Sequence, residues 1–409
     1  MGKFIIHGGE PLVGEVTVSG SKNAALPVIF ASLITHGISK IDNLPDIIDV
    51  EVALEIVEEL GASVLREGKS VYLDTRSLTY RLPDGGKVAR LRASTYLIGA
   101  CLARFSRAKL QSFGGCNFSR RPIDMHISAM ESLGAVTVGD EISAESLHPA
   151  EIFFNKKSVG ATVNALIAAS AIKGESALHG CAVEPHVLTL VAYLVGAGAK
   201  IRREGDSFFV SGGELTGSSV RLGGDMIEAG TYLAASLLTG GRVTVTGVDA
   251  YELSAFLTAL KTGGVSYSTS ERGISLTGRA ERRIDVVTSA YPGFPTDLQP
   301  IIAPVLATGV GGSITEGVWQ GRFGYLSELA KLGVRYVLDD RGAQIFRSEL
   351  SSASLISPDL RGGAAAVILS LAVKGRCEIS NGETVLRGYD GIRDKLTVLG
   401  AKITYENRY

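Results

Sequence analysis

Apolar positions recur along this chain in two different ways. Six stretches are apolar nearly all round: residues 24–33, 93–103, 162–172, 231–238, 298–307 and 362–373. A helix with no polar face has to be buried, so these predict six core helices. Between them run stretches with a single apolar stripe, such as Ala53, Ile56, Val57 and Leu60, or Leu253, Phe256, Leu257 and Leu260, at i, i+3, i+4 and i+7. These predict surface helices with one buried side. Each striped stretch stops at a glycine, at Gly61, Gly134, Gly198, Gly263, Gly333 and Gly400, 64 to 73 residues apart. Glycine just past the last periodic residue is a helix stop signal. Alternating apolar residues then predict hairpins, as over 199–210 and 334–345. A further strand follows each core helix, as at 240–247 and 375–380, and a short one enters it. The repeating unit is therefore βαβαββ, six times over. Six such units exceed one hydrophobic core, so two domains of three units each are expected.

The polar residues gather at two places in these units. At the starts of the core helices stand Lys22-Asn23, Arg92, Ser158-Val159-Gly160, Glu228, Asp297 and Arg361. Free backbone N–H groups and the helix dipole suit such ends to anions. In the loops before the striped helices stand Cys116 with Arg121, Glu184-Pro185-His186, Trp319 with Arg322, and Arg387. If the two domains face each other with these ends inward, Lys22 and five arginines line one cleft, which implies a ligand with several phosphates or carboxylates.

One loop carries a nucleophile candidate. From Gly114 it reads Gly-Gly-Cys-Asn-Phe-Ser-Arg-Arg, and Pro122-Ile123-Asp124 then opens a helix. Arg120, Arg121 and the helix start would stabilise a thiolate at Cys116, below the ordinary thiol value of about 8.5. The other thiols, Cys101, Cys181 and Cys377, are scattered with no Cys-x-x-Cys pair, so neither a disulfide framework nor a zinc site is expected.

Composition narrows the field. Basic and acidic residues number 41 and 42, so bulk charge predicts no nucleic acid or anionic membrane partner. The apolar runs fall short of the ~20 residues that span a bilayer, and the N-terminus has no apolar export segment. The cytoplasm is the expected location. No Gly-x-x-x-x-Gly-Lys-Ser/Thr loop, no Gly-x-Gly-x-x-Gly after a strand and no His-Glu-x-x-His helix occurs, which disfavours a P-loop hydrolase, a Rossmann dehydrogenase and a zinc hydrolase.

Several local motifs, in order along the chain, carry a resemblance. Ser19-Gly20-Ser21-Lys22-Asn23-Ala24-Ala25-Leu26-Pro27, Leu91-Arg92-Ala93-Ser94, Gly114-Gly115-Cys116, Arg121-Pro122, Ser158-Val159-Gly160-Ala161-Thr162, Phe294-Pro295-Thr296-Asp297, Asp359-Leu360-Arg361 and Arg387-Gly388-Tyr389 resemble the UDP-N-acetylglucosamine 1-carboxyvinyltransferases, an enolpyruvyl transferase family. The resemblance implies a two-domain inside-out α/β barrel of six βαβαββ repeats. It also implies boundaries, 22–223 for one domain and 1–21 with 224–409 for the other, and an active site in the cleft between them. The implied reaction moves the enolpyruvyl group of phosphoenolpyruvate to the 3′-hydroxyl of UDP-N-acetylglucosamine, with no metal or other cofactor.

By the same resemblance, Cys116 matches the proton donor and the target of fosfomycin-type inhibitors, and Asp297 the base for the acceptor hydroxyl. Lys22, Arg121 and Arg387 match phosphoenolpyruvate ligands. Asn23, Arg92, Arg322, Asp359 and Arg361 look like further site groups. Arg121, Pro122, Ile123, Asp124 and Met125 resemble a uridine segment, Lys156, Lys157, Ser158, Val159 and Gly160 a diphosphate contact, and Val318 a sugar contact. The chain departs from the usual pattern at Ser119, Met226 and Gly321, which bears on the acceptor. The rival readings are transfer to shikimate 3-phosphate or another nucleotide, and a non-enzymatic nucleotide- or nucleic-acid-binding repeat protein. The position of Asp297 also suggests a helix cap, so Asp297→Asn is expected to keep stability and lose turnover.

Overall fold

A computed structural model describes residues 2–407 apart from 112, 115–121 and 272. The described residues divide into two compact units. The first runs from Gly20 to Gly223; the second joins the chain up to Ser19 with the chain from Gly224 onward.

All six core helices are present, as Lys22–Ala31, Leu97–Phe105, Val159–Ser170, Met226–Thr239, Gln299–Thr308 and Leu360–Ala372. Their all-round apolar sequence has the expected consequence. Every residue from Leu360 to Leu371, for example, is buried. In the second unit the three core helices pack on one another pairwise. In the first, the helix Leu97–Phe105 packs on both of the others, and the 3₁₀ turn Arg92–Tyr96 ahead of it does the same.

The sheets lie outside the helices and repeat one strand order. In the fifth repeat, Ile284–Val287 enters the core helix Gln299–Thr308 and pairs in parallel with Gly311–Thr315, which leaves it. A helix-length crossover is what a parallel pair needs. Gly342–Phe346 and Arg335–Asp339 then complete the sheet as an antiparallel hairpin. The pleat sorts the side chains: Val243 and Val245 point to the core while Arg242 of the same strand is exposed.

Sheets in both units take in strands from far away in the sequence. The N-terminal strand Gly2–Gly8 lies between Gly375–Ser380 and Lys402–Asn407, and Val13–Thr17 pairs in parallel with Arg242–Thr246. In the first unit, Ser219–Arg221 returns to pair with Ile38–Asp42. Each set of three repeats is thus closed by chain from its other end.

The striped helices also lie where expected, with Ala53, Ile56, Val57 and Leu60 buried, as are Leu253, Phe256, Leu257 and Leu260. Five of the six stop glycines adopt positive φ: Gly61, Gly134, Gly198, Gly333 and Gly400, between 95° and 116°. The fourth stop is displaced by one. Gly263 is an ordinary right-handed cap at φ −72°, and the left-handed residue is Gly264 at +93°. With Gly264 in place of Gly263 the six stops are structurally equivalent, since only a residue without Cβ takes this turn at no cost. Among the described residues, no helix is long and apolar enough to cross a membrane.

Candidate active-site residues in the two units

In the first unit, Lys22 and Asn23 are the first residues of their core helix. The Lys22 ammonium lies 3.1 Å from a carboxylate oxygen of Asp49, in the first turn of the helix Ile48–Glu59. Asp49 had no counterpart in the sequence expectations. Arg92 starts the 3₁₀ turn, where burial pulls its guanidinium below the ordinary value. Ser158 caps the third core helix, its hydroxyl accepting from the Ala161 N–H at 3.3 Å, and Val159 and Gly160 form the first turn. Lys156 and Lys157 are exposed just upstream, with Lys157 3.5 Å from Asp206. Pro122 and Ile123 lead into the helix Asp124–Ser132, whose first residues are Asp124 and Met125. Cys116 and Arg121, with Arg120 and Ser119, lie outside the described residues.

A histidine that sequence reasoning passed over joins these pieces. His126 is buried, and its ring closes over Gly160 so tightly that a Cβ there would sit 2.7 Å from Cε1. Asn164, fully buried in the third core helix, fixes the ring's state. Its carbonyl accepts from the Gly99 N–H at 2.8 Å, so its amide must donate, to the Thr95 carbonyl at 2.9 Å and to His126 Nδ1 at 2.7 Å. Nδ1 is therefore an unprotonated acceptor and the imidazole is neutral. Burial, and the nearby Arg92 guanidinium, push the His126 pKa down to about 4, in accord with that assignment. Cys101 and Cys181 are buried thiols pushed up to about 12 by desolvation, and Cys377 is buried in the strand Gly375–Ser380, so none of the three is an exposed nucleophile.

In the second unit the corresponding helix starts are held by charge. Asp297 lies in the 3₁₀ turn Thr296–Leu298 and does not cap the core helix, whose N-cap is Leu298. The rival reading of Asp297 as a helix cap is thereby set aside. Its Oδ1 accepts from Arg322 Nη1 at 2.9 Å, and its Oδ2 accepts from Arg361 Nε and Nη2, both at 3.2 Å. Both guanidiniums are almost wholly buried, whereas the Asp297 side chain stays 30% exposed. Burial alone would disfavour charge on Arg361; Tyr389, whose ring lies under the guanidinium at 5.3 Å, and Asp297 and Asp225 more than offset it and hold Arg361 well above the usual arginine value.

Asp359 is an N-cap, taking the N–H groups of Arg361 and Gly362 at 2.9 Å each, so it also orients the backbone that carries Arg361. Val318 lies in the turn ahead of Arg322, and Arg387 follows the short helix Glu383–Leu386, half-buried. Gly321 has φ +77°. Glycine takes that left-handed region without the cost that a Cβ brings. Glu228, third residue of the fourth core helix, is buried against Lys395 Nζ at 2.5 Å and the Ser19 N–H at 2.8 Å. Burial raises its pKa and Lys395 opposes that shift.

These features meet known proteins at full length. Residues 6–396 match the family model of EPSP synthase (3-phosphoshikimate 1-carboxyvinyltransferase). A UDP-N-acetylglucosamine 1-carboxyvinyltransferase 3 from Caldanaerobacter subterraneus subsp. tengcongensis is 41% identical over 98% of this chain and 99% of its own. A UDP-N-acetylglucosamine 1-carboxyvinyltransferase from Halothermothrix orenii is 39% identical over 98% and 99%. Among solved structures, the enolpyruvyl transferase NikO from Streptomyces tendae superposes with a TM-score of 0.89 at 26% identity, covering 100% of this chain and 99% of its own. EPSP synthase from Acinetobacter baumannii shares the fold, with a TM-score of 0.72 at 17% identity over the whole of both chains. The chain belongs to the enolpyruvyl (carboxyvinyl) transferase family, and its fold is the two-unit, six-repeat α/β fold of that family.

Proposed function

We propose that this chain is an enzyme that transfers the enolpyruvyl group of phosphoenolpyruvate to the 3′-hydroxyl of UDP-N-acetylglucosamine and releases phosphate, the step that opens peptidoglycan synthesis. The observation that carries the reading is the end-to-end identity with transferases of that name. In this reading the polar sets of both units serve one reaction in the cytoplasm. Asp297 accepts the proton of the sugar hydroxyl as its oxygen bonds to C2 of the enol, while the Cys116 thiol protonates C3. The tetrahedral ketal then returns a proton from C3 to the Cys116 thiolate and breaks the bond between C2 and the phosphate oxygen, expelling phosphate. No redox change occurs, and no metal or cofactor is called on.

The geometry of Asp297 suits this part. Two buried guanidiniums fix both oxygens, and partial exposure leaves the carboxylate reachable. Lys22, Arg121 and Arg387 bind the phosphate and carboxylate of phosphoenolpyruvate, with Asn23, Arg92, Arg322, Asp359 and Arg361 around them. Residues 121–125, 156–160 and Val318 take the uridine, diphosphate and sugar.

The thiol assignment has a direct test. An epoxide phosphonate such as fosfomycin should add covalently to Cys116, and phosphoenolpyruvate should slow the addition. Peptide mass mapping reads the outcome; labelling at Cys101, Cys181 or Cys377 instead would overturn it. Cys116→Asp should keep some turnover and resist the inhibitor, since a carboxylic acid still donates a proton but attacks an epoxide poorly.

A further inference from the structure

Glu316 follows the strand Gly311–Thr315 and is not among the residues that the family motifs single out. Four donors converge on its carboxylate. Oε1 accepts from the Thr288 hydroxyl at 2.6 Å and from the Val318 and Trp319 N–H groups at 2.9 and 3.0 Å; Oε2 accepts from the Thr296 hydroxyl at 3.0 Å. The Thr288 oxygen in turn accepts from the Gly317 N–H at 2.9 Å. One side chain therefore shapes the turn that presents Val318 and ties it to the loop that presents Asp297.

The polarity of the chain of bonds matters. A threonine hydroxyl has one proton, and that of Thr296 is committed to Glu316. Toward Arg322 the same oxygen can only accept, which it does from Nη1 at 2.9 Å, and this Nη1 also donates to Asp297 Oδ1 at 2.9 Å. The order Glu316, Thr296, Arg322, Asp297 is thus a directed relay of charge-assisted bonds. From this we infer that Glu316 is a positioning residue for the transfer reaction: it sets Arg322 against Asp297 and holds the Val318 turn in register with both. The inference rests on the reading of Asp297 as base and Val318 as sugar contact. It goes beyond that reading in naming what aligns them.

Glu316→Gln keeps size and replaces one acceptor oxygen by a donor. The Thr296 hydroxyl then loses its obligatory direction, and its hold on Arg322 is no longer backed by a carboxylate charge. The expected result is a kcat about tenfold lower together with a several-fold higher KM for UDP-N-acetylglucosamine, at an unchanged KM for phosphoenolpyruvate. A double-mutant cycle sharpens it. Because Glu316→Gln and Thr296→Val break the same relay, their kcat losses should overlap, the double variant being no slower than the slower single one. Wild-type protein run alongside separates the two layers. Without wild-type turnover on the nucleotide sugar, the functional reading fails. With it, normal kinetics in Glu316→Gln, strictly multiplying losses in the cycle, or a lowered melting temperature with unaltered kcat and KM would each overturn the role assigned to Glu316.

Discussion

The third and fifth core helices begin at equivalent points of the repeat and solve the same problem by opposite means. At the third, in the first unit, the buried polar groups are neutral: Asn164, the His126 ring and the backbone of Thr95 and Gly99 satisfy one another. At the fifth, in the second unit, they are charged: Asp297 lies between Arg322 and Arg361, with Glu316 behind. A neutral network needs each partner for its hydrogen bond alone, so damage to it falls on stability. An ionic cluster holds its charges in place at a cost in desolvation that the partners offset, so damage to it falls on chemistry and stability together. On the proposed assignment of Asp297 as base, one repeat serves as scaffold in one copy and as reaction machinery in another.

The largest expected effect comes from breaking the charged side. Asp297→Asn should lower kcat by about a thousandfold, the size typical of a lost general base. The structure revises the expectation that this change spares stability. Arg361, nearly inaccessible, would lose the carboxylate it is bonded to, so the variant should also lose on the order of 3 kcal/mol, read as a fall in melting temperature. A variant that unfolds earlier but turns over normally would show that the cluster is structural only.

Breaking the neutral side should look different. Asn164→Leu strands the Gly99 N–H and the Thr95 carbonyl, each worth about 1 to 3 kcal/mol when left buried and unpaired. Denaturant unfolding should show a loss of about 2 to 4 kcal/mol, and the kcat of the folded fraction should change by less than tenfold. A loss of turnover rivalling that of Asp297→Asn would erase the contrast between the two helix starts.

The smallest effect is a pH signature unique to the neutral side. The pKa of His126 falls from about 6.5 in the unfolded chain to about 4 in the fold. A depressed folded value means that the fold binds its neutral form. The contribution is therefore full above pH 6.5 and is lost as pH falls toward 4, by about 3 kcal/mol over that interval. Relative to His126→Gln, the wild type should lose unfolding free energy across that window. A constant difference between the two would contradict the neutral assignment.

What the sequence disclosed, and what it did not, follows from range. The core helices were legible because a helix apolar on every face leaves no other option. The displaced stop at Gly264 turns on which of two adjacent glycines is left-handed, and periodicity has no such resolution. Asp297 reads as a cap from its place before Leu298, yet the 3₁₀ turn set up after Pro295 spends that place one residue early. The missing partners share a different cause. Asp49 lies 27 residues from Lys22, Asn164 lies 38 from His126, and Arg361 lies 64 from Asp297. Glu316, lodged between a strand and a turn, resembles any solvated acid until its four donors are seen in place.

The most direct measurement is phosphate release from phosphoenolpyruvate with each of three acceptors at equal concentration: UDP-N-acetylglucosamine, shikimate 3-phosphate and UMP. The account predicts rapid stoichiometric release with UDP-N-acetylglucosamine, sensitive to Asp297→Asn and to fosfomycin, and only background release with the other two. Release driven by shikimate 3-phosphate or UMP while UDP-N-acetylglucosamine stays inert would contradict it.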